Sequence, residues 1–167
     1  AQPDFCEAVL RATHEAGINT AIETTAFAKR AVLERIVPHV DYVLMDIKHM
    51  NPTKHRLFTG QTNEVILDNA RWMAKNAKSL TIRTPVVPGF NDTREDIAAI
   101  ARFASSLGGA TEGLHLLPYH RLGQDKYTGL GRDYTLRDIL PPEKDKMEEL
   151  LATAHSVAPS LHVQIGG

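Results

Sequence analysis

Apolar positions along this chain switch repeatedly between helical and extended spacing. Phe5, Val9, Ala12 and Ala16 recur every three or four residues and define one helical face, which Gly17 terminates. Residues from Ile18 to Thr24 then read as a strand, and residues 28–37 as a short helix ending before Pro38. Tyr42 to Ile47 (YVLMDI) is a continuous apolar run interrupted by one acid, the pattern of a strand buried in a parallel sheet. Ile66, Ala70, Met73 and Ala77 mark the next helical face. Leu80 to Val87 reads as a strand closed by Pro88-Gly89, a type II turn pair. Thr93 and Asp96 have the spacing of a capping box, and the helix they open carries Ile97, Ile100, Ala104 and Leu107 on one side before Gly108-Gly109 ends it. Gly113 to Leu117 is a short strand. Pro142 opens a long helix with Met147, Leu150, Leu151, Ala154 and Val157 inward, and His162 to Ile165 is a last strand or tail. The stretch 121–141 has no clear period and reads as an ordered loop with short helical turns.

Repeated strand–helix units predict an α/β fold with parallel strands joined by right-handed crossovers. About five strands are too few to close an eight-stranded barrel of ~250 residues. The expected architecture is therefore a small open sheet or part of a larger, incomplete barrel. A length of 167 residues suits one domain spanning 1–167. Apolar residues at 43% and charged residues at 23% are enough for an ordinary globular core. A formal net charge of -1 leaves no basic field to attract nucleic acid or an anionic membrane. No apolar run approaches the ~20 residues that span a bilayer, and the N-terminus has no secretory-signal pattern. Cys6 is the only cysteine, which rules out an intramolecular disulfide and favours a reducing, cytoplasmic setting; it reads as a packed or surface residue.

Ligands of parallel α/β folds bind at the carboxyl ends of the strands. The first predicted strand ends in Glu23-Thr24-Thr25 and the second in Asp46-Ile47-Lys48-His49. The third carries Arg83-Thr84-Pro85, and the fourth runs into Pro118-Tyr119-His120-Arg121. Two acids, two bases and a histidine at one rim suit a zwitterionic or polyhydroxylated ligand. Glu23 and Asp46 would bind an ammonium or a cation, and Lys48 and Arg83 a carboxylate. Each residue also has a plainer reading. Asp46 is a structural acid paired with Lys48, Glu23 a helix-entry residue, Arg83 a strand residue paired with a neighbour, His120 a loop histidine. Their co-location at successive strand ends favours function.

The stretches DYVLMDIKHMNPTKHRLFTGQTNEVILDN, IRTPVVPGFNDT and LLPYHRLGQDKYTGLG resemble the glycyl-radical-enzyme activating enzymes of the radical S-adenosylmethionine superfamily, those like the pyruvate formate-lyase activating enzyme. The resemblance runs from about Pro3 to Gly167 and is specific in combination. It implies a partial (β/α)₆ barrel. In the family a CxxxCxxC motif holds a [4Fe–4S] cluster by three thiolates, and S-adenosylmethionine chelates the fourth iron. A Gly-Gly-Glu-Pro segment lines the same ligand. This sequence has neither motif, so the resemblance implies a C-terminal portion truncated at the N-terminus, with VQIGG resembling a natural family ending.

The resemblance also implies roles. Glu23 and Thr24 match an Asp-Thr pair beside the methionine moiety, with glutamate standing where aspartate is usual. Glu23 and Asp46 match acids of a monovalent cation site. Lys48 matches a lysine near the cofactor's methionine and ribose. Arg83 matches an arginine where cofactor and target glycine meet, and His120 a histidine near ribose and adenine. In the complete enzyme a reduced cluster, fed by a donor such as flavodoxin or ferredoxin, would cleave the sulfonium. The 5′-deoxyadenosyl radical would then take a hydrogen from a glycine of a glycyl-radical enzyme. This portion alone is expected to be inactive, because one helical cysteine holds no cluster.

Two other readings fit the residues. One is a conventional β/α-barrel lyase or aldolase using Lys48 as base or Schiff-base lysine, tuned by Asp46. The other is a non-catalytic domain whose rim docks a protein. As a truncated portion of that family the chain is expected to present an unprotected edge at the strand Ile18–Thr24, so that it self-associates or is only marginally stable.

Overall fold

The structure, a computed structural model, describes residues 2–122, 127, 129–131, 133–134 and 136–167. Its elements follow in chain order. They are α1 (Pro3–Glu15), β1 (Ala21–Thr24), α2 (Arg30–Ile36), a 3-10 turn (Val37–His39), β2 (Tyr42–Asp46), α3 (Pro52–Thr59), α4 (Glu64–Asn76), β3 (Leu80–Val86), α5 (Arg94–Leu107), β4 (Thr111–Pro118), α6 (Lys144–Val157) and β5 (His162–Ile165). The expected loop at 121–141 lies partly outside the described residues.

The five strands are all parallel and lie in sequence order, β1-β2-β3-β4-β5. That order has a geometric consequence. Right-handed crossovers that never reverse direction place every connecting helix on the same side of the sheet. One face is therefore packed, and the other receives none of these connecting helices, as in the wall of an incomplete barrel.

The alternation of side chains across each strand respects this division. Val43, Met45, Ile82, Leu114, Leu116 and Val163 face the helices and are buried in one core with Ile66, Met73, Ile97, Ile100, Met147 and Leu150. Their in-between neighbours Glu23, Asp46, Arg83, His115 and Gln164 stand on the helix-free face and are all less buried.

Local chemistry explains the boundaries. The turn after β3 has Gly89 at φ 78, with the Phe90 amide donating to the Val87 carbonyl at 3.0 Å, as a type II turn requires. Thr93 caps α5 by accepting from the Asp96 amide at 3.1 Å. Asp96 does not reach back to the Thr93 amide; it accepts from the Thr93 hydroxyl at 2.7 Å, so the expected capping box is half formed. Gly109 is needed for packing. A Cβ there would sit 2.1 Å from the Ala74 carbonyl, where the strand entry meets the end of α4.

Three expectations shift. β1 is shorter than Ile18–Thr24, because Thr20 is diverted: its amide donates to Asp41 Oδ2 at 2.9 Å and its hydroxyl to the His39 carbonyl at 2.7 Å. The last helix starts at Lys144, two residues after Pro142. Helix α3 is additional, nucleated by Asn51, whose side chain accepts from the amides of Thr53 and Lys54.

Candidate functional site

The register of the sheet brings the acids and bases of three strands together. Asp46, the last residue of β2, lies directly opposite Arg83 of β3. Glu23 of β1 lies opposite Leu44, two residues before Asp46 and on the same face. Lys48 follows Asp46 by two residues and keeps that face as the strand runs out.

The resulting cluster is closely hydrogen-bonded. The Arg83 guanidinium grips Glu23 with both terminal nitrogens, at 2.7 Å to Oε1 and 3.0 Å to Oε2. Its Nε and Nη2 also donate to Asp46 Oδ1, each at 3.2 Å. Lys48 Nζ takes the other Asp46 oxygen at 2.8 Å. Two carboxylates thus meet two cations, and the cluster is formally neutral. The side chains of Arg83, Asp46 and Lys48 are 15%, 18% and 29% exposed, whereas Glu23 is 67% exposed. Hydrogen bonding and then charge from Arg83 hold the Glu23 carboxyl below its usual range. The Glu23 hydrogen bond in turn raises Arg83 against the effect of its burial.

Asp46 and Lys48 also border a pocket of about 200 Å³, shared with Thr25, Phe27, His55 and Ile66. At its far side the buried His55 points Nδ1 at the Gln61 carbonyl, 2.7 Å away. Between β1 and this pocket, Ala26 is a buried non-glycine residue at φ 52, a conformation seldom found away from functional or tightly packed sites.

Not every expected residue joins the cluster. Thr24 alternates away from Glu23, and its hydroxyl accepts from the Ala26 amide at 2.9 Å, so it shapes the strained turn instead. His120 lies two residues past β4, exposed. Its Nδ1 accepts from the Leu122 amide at 3.4 Å, and it makes no ion pair with Asp46 or Glu23 among the described residues. Asp46 closes β2, Glu23 stands one residue before the end of β1 and Arg83 lies within β3, all on one face of the sheet.

His115 and Gln164 were not among the expected site residues. His115 is the register neighbour of Arg83, and Gln164 that of His115. Burial, then the neighbouring His162 and Arg83, lower the His115 pKa, which keeps its imidazole neutral at neutral pH. The signal was available in the alternation of Leu114, His115 and Leu116, which sends His115 to Arg83's face.

The donor set can be compared with the groups the fold family employs. A [4Fe–4S] cluster needs three thiolates besides its exchangeable ligand, and this chain has only Cys6, half-buried in α1. Its residues do not fit a cluster. No group of three or more His, Cys, Asp or Glu that would hold a metal ion occurs among the described residues. The acids expected to hold a monovalent cation, Glu23 and Asp46, are both engaged by Arg83. The two acids and two bases satisfy one another on the helix-free face.

Residues 1–104 match the Radical SAM superfamily. Indoleacetate decarboxylase activating enzyme of Tractidigestivibacter scatoligenes is 37% identical over 158 residues, covering 93% of this chain and 50% of that protein. Isethionate sulfite-lyase activating enzyme of Oleidesulfovibrio alaskensis is 42% identical over 146 residues, covering 86% of this chain and 46% of that protein. The chain thus spans about half the length of the curated relatives it matches. The crystal structure of a domain of pyruvate-formate lyase-activating enzyme from Bacteroides vulgatus superimposes with a TM-score of 0.81 at 27% identity, covering 99% of this chain and 91% of that one. The five-stranded parallel sheet with its one-sided helices accordingly matches the partial barrel of that fold. The chain belongs to the radical SAM superfamily, as a homologue of the glycyl-radical enzyme activating enzymes.

Proposed function

We propose that this chain forms, as one domain over 1–167, the S-adenosylmethionine-facing wall of an activating enzyme that generates a glycyl radical on a partner enzyme. The observation that carries the proposal is the neutral Glu23–Arg83–Asp46–Lys48 cluster on the helix-free face. A buried or half-buried ion network is a poor source of stability, so its retention needs another reason. A zwitterionic amino-acid moiety supplies one, because it exchanges charge for charge. Its ammonium takes Asp46 and Glu23, and its carboxylate takes Lys48 and the released face of Arg83. Neutral His115 and Gln164 extend the same surface with hydrogen-bonding groups that add no charge.

Within that arrangement the chain's residues bind, orient and exclude water. Lys48 and the two acids fix the amino-acid end of the ligand, which sets where its sulfonium lies relative to the open face. Bound S-adenosylmethionine would supply the radical chemistry for hydrogen abstraction from glycine in the activating enzyme. With one cysteine this chain has no means of holding an iron–sulfur cluster, so by itself it binds without reacting. The partners that follow are a glycyl-radical enzyme, met at the open face, and an electron donor such as flavodoxin or ferredoxin.

Calorimetric titration with S-adenosylmethionine tests the proposal directly. Saturable binding is expected, weakened in Lys48→Ala by ~1–3 kcal/mol, the usual range for a lost charge-assisted hydrogen bond. Absence of binding to the wild-type chain, or unchanged affinity in Lys48→Ala, refutes it.

A further inference from the structure

The ladder between β2 and β3 stops at the pair Asp46–Arg83. Lys48 lies beyond it, in a stretch over residues 47–50 that is neither helix nor strand. Carbonyls in such a stretch normally turn to water or hold little order. Here all four are taken by buried side chains. The Thr84 hydroxyl donates to the Ile47 carbonyl at 2.9 Å. The Asn91 amide donates to the Lys48 carbonyl at 2.7 Å. The Asn63 amide donates to His49 and Met50, at 2.7 and 2.8 Å. Thr84 and Asn91 are 0% exposed and Asn63 is 2% exposed.

Asn91 is the centre of this arrangement. Its Oδ1 accepts from the Val87 amide at 2.8 Å, which fixes which way the amide faces. The two protons of Nδ2 are then directed at the carbonyls of Lys48 and of Pro85, the latter at 2.9 Å. One side chain therefore ties the segment carrying Lys48 to the end of the strand carrying Arg83. An apolar residue of this volume would fill the space and leave both carbonyls unpartnered, so the amide determines backbone position and not packing alone.

We propose that Asn91 is a positioning residue for Lys48, holding its backbone so that the ammonium meets Asp46, with Thr84 and Asn63 completing the support. This rests on Lys48 being a ligand-binding group, as proposed above. The expected consequence of losing Asn91 is that the 2.8 Å contact between Lys48 Nζ and Asp46 becomes transient.

Acetylation of individual lysines, followed by mass spectrometry on the intact chain, reads this without any ligand. Lys78, paired with Asp41 at 2.7 Å at the opposite end of β3, is the internal control. In Asn91→Ala the rate at Lys48 relative to Lys78 rises roughly threefold to tenfold, the ratio that corresponds to one ordinary hydrogen bond. An unchanged ratio overturns the proposal, as does a parallel rise at both lysines, which marks general loosening. Thr84→Val removes one of the supporting bonds and keeps the side-chain shape. It should raise the same ratio by a smaller factor even where Asn91→Ala folds poorly, and no change there also overturns the proposal. A second readout uses S-adenosylmethionine affinity in a double-mutant cycle. Once Lys48→Ala is present, adding Asn91→Ala should weaken binding no further, and an equal further loss counts against positioning. If the wild-type chain binds no S-adenosylmethionine, the functional reading fails, while the acetylation ratio still decides the role of Asn91.

Discussion

Replacing Asp46 by asparagine removes the shared carboxylate of the cluster while keeping its shape. Asp46 accepts three hydrogen bonds, one from Lys48 at 2.8 Å and two from Arg83 at 3.2 Å. A net ~1.5–3 kcal/mol is usual for a hydrogen bond to a charged group, and an asparagine oxygen recovers about 1 of it as a neutral acceptor. The remaining loss is reduced because the helix-free face stays open to water and salt. Asp46→Asn should therefore destabilise the chain by about 0.5–2 kcal/mol. For a chain of this size that lowers Tm by roughly 1–8 °C. Glu23→Gln provides the contrast. Glu23 makes the shorter contacts to Arg83, at 2.7 and 3.0 Å, but its side chain is 67% exposed. Screening should hold its effect below ~0.5 kcal/mol despite the better geometry. Urea and thermal unfolding at neutral pH measure both, with an unchanged urea slope confirming that the native and unfolded states remain comparable. Equal losses for the two variants, or no loss in Asp46→Asn, would refute the argument that burial and not contact distance sets the strength of these pairs.

The other predictions concern pH and association. His49 is 3% exposed, and its Nδ1 accepts from the Asn51 amide at 2.9 Å, while Nε2 sits 3.2 Å from Asp96 Oδ1 without hydrogen-bond geometry. Burial lowers its pKa below the usual 6.5, partly opposed by Asp96. The unfolded chain thus takes up the proton first, so this contribution is complete above pH ~6.5 and is lost as pH falls from there towards the lowered folded value. Denaturant melts at pH 7.5 and 5.5 should show lower stability at the acid pH, less so in His49→Gln; stability that rises on acidification contradicts this. At the sheet edge, β1 pairs only with β2 among the described residues. Ile18 is exposed, as are Phe5 and Val9 of the neighbouring α1. Light scattering across a concentration series should show self-association, and a chain that stays monomeric at high concentration means this edge is protected.

Much of the fold was legible because period and punctuation agreed. β3 combines an apolar run with a proline–glycine stop, and α5 combines a threonine cap with a clean helical face. Helix α3 was not legible, because its apolar residues Leu57 and Phe58 are adjacent and exposed, so they trace no buried stripe. Strand ends identified Glu23, Asp46, Lys48 and Arg83 as neighbours without stating how they would meet. Pairing register is a long-range property: it sets Asp46 opposite Arg83 with Glu23 on the same face, and the Arg83 side chain then reaches across β2 to hydrogen-bond both acids. Thr24 was placed with Glu23 by the resemblance to an Asp-Thr pair, and in the strand the two side chains alternate to opposite faces. The carbonyl clamps from Thr84, Asn91 and Asn63 span 37, 43 and 14 residues, and polar residues of that kind leave no periodic trace.

The helix-free face bears on why the ion cluster persists. Parallel sheets are normally covered on both sides, and their strands are then apolar on both sides. In β2 and β3 one side follows that rule with Val43, Met45, Ile82 and Val86, all buried. The other carries Asp46 and Arg83 at directly paired positions. An isolated charge at either position would be costly under any covering layer, and the Arg83 fork removes that cost only while its partners stay in place. The cluster is consistent with a surface that is enclosed when a ligand or polypeptide lies against it and solvated when none does. Asn91, fully buried between β3 and α5, would in the proposed role act in both states, since it binds the Lys48 carbonyl and brings no charge of its own. Loss of Asn91 should accordingly impair the approach of Lys48 to Asp46 with no ligand present, a consequence that an adaptable loop tightening only on binding would not produce.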